Sequence, residues 1–220
     1  MADIIAIDGP AGSGKSTVAK LLAKKIGYAY IDTGAMYRAL TLKALREAVD
    51  LNDEEKLSKL FNSTELDIIS DKTADIAVML DGENVASLIR TPELTEKVAY
   101  IARVAAVREK MKDMQRKIGA RGESVFEGRD IGTAIFPDAK YKFYVDADFD
   151  ERSRRRHKEL IEKGIDISLD EVSRDLQARD HKDMTRKIGP LKIADDATRI
   201  DTTNMAIDEA VDKIAGYINH

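Results

Sequence analysis

The chain has no cysteine and only three histidines, His157, His181 and His220, scattered along 220 residues. Disulfides and cysteine nucleophiles are excluded, and little material is left for a nitrogen-and-sulfur metal site. Long apolar runs are missing too. Nothing approaches the roughly 18 consecutive apolar residues of a membrane-spanning helix, and no basic segment with an apolar cleavage region precedes the first strand-like run. A cytoplasmic protein is the expectation. Positive charge is not in excess: the formal net charge of −4 argues against a general nucleic-acid binder, whose phosphate contacts need a basic surface. Internal repeats and low-complexity tracts are also absent.

What charge there is lies unevenly. Residues 151–192 hold twelve Lys or Arg against nine Asp or Glu, a local +3 that leaves −7 for the rest. The length suits one domain with an elaboration, large enough to bury a core without covalent staples.

Near the start, Gly9, Pro10, Ala11, Gly12, Ser13, Gly14, Lys15 and Ser16 match GxxxxGK[ST]. The apolar run Ile4–Ile7 precedes them, and Val18, Leu21 and Leu22 follow at helical spacing. Glycines let successive backbone N–H groups converge on phosphate oxygens, and the following helix adds its positive dipole end. Lys15 supplies a mobile cation for the terminal phosphates, and the Ser16 hydroxyl can ligate magnesium. Nucleotide binding is the expectation.

Strand-like and helix-like segments alternate over much of the chain, the pattern of a parallel sheet wrapped by helices. Strands are expected near 3–8, 28–31, 123–127, 141–146 and 198–201. Helices are expected near 14–26, 34–48, 92–118, 149–163, 168–182 and 206–218. Thr91 before Pro92, and Ser168 with Glu171, read as helix starts. From 64 to 88 the alternation breaks: Leu66 and Ile68, then Ile76, Val78 and Leu80, alternate with polar residues around a turn at Asp71 to Ala74, as in an inserted hairpin.

Four further clusters carry candidate chemistry. Asp32 to Arg38, with Thr33 at the helix start, follows the second strand, where open α/β sheets bind ligands. Glu127 to Thr133 places Arg129 beside Asp130 at a strand end between glycines. The guanidinium can fork onto a phosphate, and the carboxylate can accept from a base or sugar. In the helix expected over 92–118, the apolar stripe Leu94, Val98, Ile101, Ala105 next meets Arg108, which needs either water or an acidic or ligand partner. Finally, Arg152, Arg154, Arg155 and Arg156 form a basic run, and Arg179 and Arg186 stand two helical turns apart with Asp183 near the same face. These features leave open another small-molecule kinase, acting on AMP, UMP or shikimate, and a nucleotide-gated binding module. The NKxD motif of guanine-specific GTPases is absent.

Taken together, IDGPAGSGKST at 7–17, DTGAMYR at 32–38, LDGENV and IRTPE within 80–93, VRE at 107–109, EGRDIGTAIFPDA at 127–139, the Arg152–Arg156 run and RDxxDxxR at 179–186 resemble the bacterial cytidylate kinases, in the nucleoside-monophosphate kinase group. The match runs from residue 4 to about 214. The resemblance implies an α/β fold with a parallel five-stranded sheet. Its core would comprise 1–62, 92–148 and 193–220, with an inserted acceptor-binding region at 63–91 and a helical lid at 149–192. It implies ATP and magnesium on Gly9–Thr17, with Ser16 toward the metal, and CMP or dCMP as acceptor. Thr33, Arg38, Arg108, Arg129, Asp130, Arg179, Asp183 and Arg186 match positions that contact the monophosphate, Arg108 and Asp130 reading cytosine. Lys15, Arg155, Arg156 and Arg186 would neutralise the transferring phosphoryl group. A monomer acting without nucleic acid or membrane is implied. Ala99 departs from the pattern: some members have there a serine that touches the base, and a proline often stands where this chain has Val107. Loss of that hydroxyl would weaken discrimination against uracil, one hydrogen bond being worth about 0.5–1.5 kcal/mol.

Overall fold

The computed structural model describes residues 3–70 and 74–218. In chain order it has β1 (Ile4–Asp8), α1 (Lys15–Ile26), β2 (Ala29–Asp32), α2 (Thr33–Arg46), α3 (Glu54–Asn62), β3 (Leu66–Ser70), β4 (Ile76–Leu80) and β5 (Glu83–Asn84). There follow α4 (Pro92–Ala102), α5 (Ala105–Gly119), β6 (Ser124–Gly128), a π turn at Ile131–Ile135, β7 (Tyr141–Asp146), α6 (Phe149–Glu162), α7 (Leu169–Thr185), β8 (Thr198–Asp201) and α8 (Ile207–Ile218). The expected turn at 71–73 and His220 lie outside the described residues.

Five strands form one parallel sheet in the order β2-β6-β1-β7-β8. Successive side chains of a strand face opposite ways, so β1 divides the interior in two. Ile4 and Ala6, with Phe126, pack toward α2, α4 and α5 through Met36, Leu40, Ile101, Val107 and Met111. Ile5 and Ile7, with Val125, Phe143 and Val145, pack toward α1 and α8 through Val18, Leu22, Val211 and Ile214. All five strands point one way. Their carboxyl ends, Asp8, Asp32, Gly128, Asp146 and Asp201, therefore line the edge where such sheets hold ligands.

The expected hairpin is present: β3 and β4 pair antiparallel, with Leu66 opposite Leu80 and Ile68 opposite Val78. These four side chains join the first apolar cluster, that of Met36 and Phe126. Two-residue β5 adds a third strand. The capping box forms as read, with Ser168 Oγ accepting from Glu171 N at 3.2 Å and Glu171 Oε2 accepting from Ser168 N at 3.0 Å. Thr91 Oγ1 caps α4 by accepting from Leu94 N at 3.2 Å.

Three differences from the sequence reading stand out, one of them a correction. The single helix over 92–118 is two, parted at Arg103–Val104, where Val104 is extended (ψ 116°). A β-branched residue gives up little by leaving the helix, and the turn buries Val104, Val107 and Met111 together. Ala105, expected on the apolar stripe, is exposed. Second, α3 has no counterpart in the sequence reading. Only Leu57, Leu60 and Phe61 of its nine residues are buried, too few to register as a period. Third, the π turn was unexpected, because its support comes from residue 8, far away in sequence. Among the described residues, no helix is long and apolar enough to cross a membrane.

Candidate functional site

The loop between β1 and α1 is shaped by close backbone approach. A Cβ on Gly9 would lie 2.0 Å from Val145 O of β7. Gly12 (φ 76°) meets helix α6 in the same way, its virtual Cβ 2.9 Å from Arg152 O. Gly14 occupies the left-handed region (φ 83°) as the cap residue of α1 and offers no capping side chain, so the N–H groups opening that helix are left for a ligand. Lys15 is buried and folds back on the loop, donating to Pro10 O at 3.1 Å. Burial, then Arg129, lowers its pKa to about 7 against the pull of Glu127.

Beside the loop lies a group of hard oxygens. Ser16 Oγ donates to Glu127 Oε1 at 2.8 Å, and the Tyr30 hydroxyl reaches the same oxygen at 3.4 Å. Burial and the nearby Asp32 push the Glu127 carboxyl up. Asp32 accepts from Ala35 N at 2.8 Å, capping α2, and pairs with Arg38 Nη2 at 2.8 Å. Burial works against ionisation of Asp32, but Arg38 and the Ala35 N–H outweigh it and hold the pKa low. The cap is thus Asp32 rather than Thr33, whose hydroxyl instead donates to Glu127 O at 2.8 Å.

Five of the eight expected acceptor residues, Arg108, Arg129, Asp130, Asp183 and Arg186, converge in one network from three elements, while Thr33 and Arg38 are held on Glu127 and Asp32. Arg129 Nε meets Asp183 Oδ2 at 2.8 Å, and Arg186 reaches Asp183 Oδ1 at 3.5 Å and Asp130 Oδ1 at 3.2 Å. Arg108 pairs with the other oxygen of Asp130 and lies 5.8 Å over the Tyr37 ring. So Arg108 has found its acidic partner, yet its buried Nε, like that of Arg38, has no hydrogen-bond partner among the described residues. Arg179 stands apart. It makes no hydrogen bond or ion pair among the described residues, and burial, then Arg129, lowers its pKa to about 10, with Arg38 and Arg156 adding to the repulsion. Lys15 feels both Arg129 and Arg179. Lys15 of the glycine-rich loop and the arginines Arg38, Arg129, Arg156 and Arg179 therefore share one space with a surplus of positive charge.

The basic run divides in its contacts. Arg156 pairs with Glu159 at 2.7 Å and contributes to the field at Arg179. Arg155 is held elsewhere, donating to Thr202 Oγ1 at 3.0 Å and Thr202 O at 2.6 Å in the loop after β8, with Glu151 at 2.9 Å. Arg154 is exposed and pairs with Glu151. Ala11 is buried, and Ser16 and Thr17 open α1 on its exposed side.

Sequence reasoning quoted Glu127, Asp8 and Asp180 within motifs but gave them no role, and it passed over Gly189. A signal existed for the first two: each is a carboxylate at the end of an otherwise apolar strand. Gly189 (φ 55°) gave none, though a Cβ there would fall 2.1 Å from both Arg108 Nη2 and Asp130 Oδ2.

The model of the cytidylate kinase family matches residues 5–220. Curated cytidylate kinases from Bacillus thuringiensis and Bacillus cereus are each 44% identical over 215 residues, 98% of this chain and 95% of theirs. Among solved structures, an uncharacterized protein from Eubacterium ventriosum aligns over 100% of this chain and 99% of its own at 15% identity and a TM-score of 0.53, a likeness of fold alone. With the family model spanning nearly every residue and the network of Arg108, Asp130, Arg129 and Asp183 assembled at the sheet edge, the chain belongs to the cytidylate kinase family.

Proposed function

We propose that the protein transfers the γ-phosphoryl group of ATP to the 5′-phosphate of CMP, and of dCMP, as a monomer in the cytoplasm and without nucleic acid. The observation that supports this best is the cation surplus: among the described residues Arg179 makes no hydrogen bond or ion pair, and Lys15 has a depressed pKa, both in the field of Arg129. Two polyanions brought together are what such a site accommodates. Gly9–Thr17 takes the ATP phosphates. Arg38, Arg129, Arg179 and Thr33 take the acceptor phosphate, Asp183 and its basic neighbours the sugar, and Arg108 with Asp130 the base. The hairpin region 63–91 borders the acceptor and the 149–192 segment closes as the lid.

No general base is needed, since the acceptor phosphate is already ionised near neutral pH. The chain's own residues position the reactants in line, exclude water and neutralise charge on the transferring group. Lys15, Arg156 and Arg186 carry the neutralisation. Arg155 joins them by exchanging its hold on Thr202 for the phosphates on closure. The Ser16 hydroxyl beside buried Glu127 is a hard-oxygen pair suited to magnesium, which these two residues would hold directly or through water. Bound there, the ion would offset phosphate charge and polarise the γ-phosphoryl oxygens.

A coupled ADP-release assay with CMP, dCMP, UMP, AMP and shikimate tests the reading. CMP and dCMP are expected to turn over fastest, with UMP measurable because Ala99 supplies no hydroxyl. Equal turnover of all acceptors, or phosphate release indifferent to any acceptor, would overturn it.

A further inference from the structure

Arg152 of α6 and Asp180 of α7 form an ion pair with N···O 2.5 Å in which both side chains are buried. The pair grips one residue of the phosphate loop by both of its backbone groups. Arg152 Nη1 donates to Ala11 O at 3.0 Å, and Asp180 Oδ1 accepts from Ala11 N at 3.4 Å. Arg152 Nε also donates to Ala147 O at 3.1 Å, anchoring the pair to the end of β7. The adjoining Gly12 presses against the Arg152 backbone so closely that any Cβ would meet its carbonyl at 2.9 Å. On α7, Asp180 sits next to Arg179 and three residues before Asp183, whose side chain instead holds Arg129. One helix thus carries acceptor-facing charges together with the carboxylate that holds the ATP loop.

We propose that Arg152 and Asp180 are positioning residues that couple the two substrates: seating the acceptor on α7 sets the phosphate loop for ATP, and ATP on the loop sets α7 for the acceptor. The inference rests on the function proposed above. Neither residue need touch a substrate. A packed, hydrogen-bonded junction passes small displacements on instead of absorbing them. Coupling of this kind is reciprocal, each ligand changing the other's affinity by one factor.

The test is CMP binding by calorimetry with and without a non-hydrolysable ATP analogue, in the wild type, Asp180→Asn, Arg152→Lys and the double variant Arg152→Met/Asp180→Leu. The double variant leaves no unpaired charge buried. The wild type is expected to bind CMP on the order of tenfold tighter with the analogue present, and the variants less than about twofold tighter. A merely structural pair would lower both affinities and thermal stability while keeping the ratio. Retention of the wild-type ratio in the variants, or no ratio in the wild type, overturns the proposal. Should the variants fail to fold, hydrogen exchange on the wild type decides: CMP alone is expected to slow exchange at residues 9–16, and unchanged exchange overturns the inference. If the acceptor panel points to another monophosphate, that nucleotide replaces CMP in both experiments, so the function and the coupling fail separately.

Discussion

Asp8 Oδ2 accepts a hydrogen bond from the backbone N–H of Gly132 at 2.8 Å, while its Oδ1 takes that of Ile131 at the same distance. One carboxylate at the end of β1 thereby satisfies two N–H groups that open the π turn, which would otherwise be buried without partners. The residue after Asp8 begins the phosphate loop, and the residues before Ile131 are Arg129 and Asp130. This link fixes the spacing between the two halves of the site.

Asp8→Asn replaces one acceptor by an amide N–H facing another N–H, at an expected cost of about 1–3 kcal/mol. Burial raises the Asp8 carboxyl to about 7 from 3.8, despite both hydrogen bonds. The folded state therefore holds this proton more tightly than the unfolded chain does. Its stabilising contribution is complete below about pH 4 and is lost as pH rises to about 7. Urea unfolding of both proteins at about pH 5 and about pH 8 should show the wild type's advantage over Asp8→Asn shrinking at the higher pH. A constant difference would mean that Asp8 is already ionised at pH 5.

Lys15→Met is expected to abolish phosphoryl transfer without destabilising the ligand-free protein. Burial and Arg129 lower the Lys15 pKa to about 7 from 10.5, so the folded state disfavours the ammonium. That penalty is complete below about pH 7 and is relieved as pH climbs toward the unfolded value. Thermal melts should accordingly show the variant's gain to be largest below pH 7. ATP should raise the melting temperature of the wild type and do little for the variant.

Arg108→Ala should weaken CMP binding and leave ATP binding largely intact, because Arg108 meets Asp130 and Tyr37 and contacts no residue of the phosphate loop. Some stability goes with it. Breaking a buried pair costs about 3–5 kcal/mol when the survivor is left alone, and Arg186 at 3.2 Å from Asp130 reduces that loss. Separate titrations of CMP and ATP, with a urea melt, check the pattern. Comparable losses for both nucleotides would make Arg108 structural.

Gly189→Ala should unseat the segment after α7. The new methyl would lie 2.1 Å from Arg108 Nη2 and Asp130 Oδ2, and an alanine at φ 55° costs about 1 kcal/mol by itself. Faster proteolysis or hydrogen exchange across 186–191 in the ligand-free variant is the expected reading, with unchanged protection counting against it.

The parallel sheet was legible because its strands are continuous apolar runs such as Ile4–Ile7, bounded by glycine and helix-start signals. The hairpin was legible from strict alternation. What escaped is what long-range contacts decide. Val104 leaves the helix because the apolar cluster it shares with Met36 and Phe126 receives it, and the π turn exists because Asp8 takes its donors from 123 residues off. At the site, arginines and motif glycines could be named from spacing. Their partners could not: that Arg129 holds Asp183, or that Arg152 and Asp180 share Ala11, depends on how α6 and α7 dock.

The hairpin contributes Leu66, Ile68, Val78 and Leu80 to the same apolar cluster as Met36 and Phe126. A hairpin that shares its interior with the sheet has little stability of its own to fall back on. It cannot be excised, or swung out as a free flap, without opening the parent core, so the whole chain should unfold in one transition. Change of acceptor in this lineage would then proceed by single residues on the existing surface, not by exchange of the hairpin as a module.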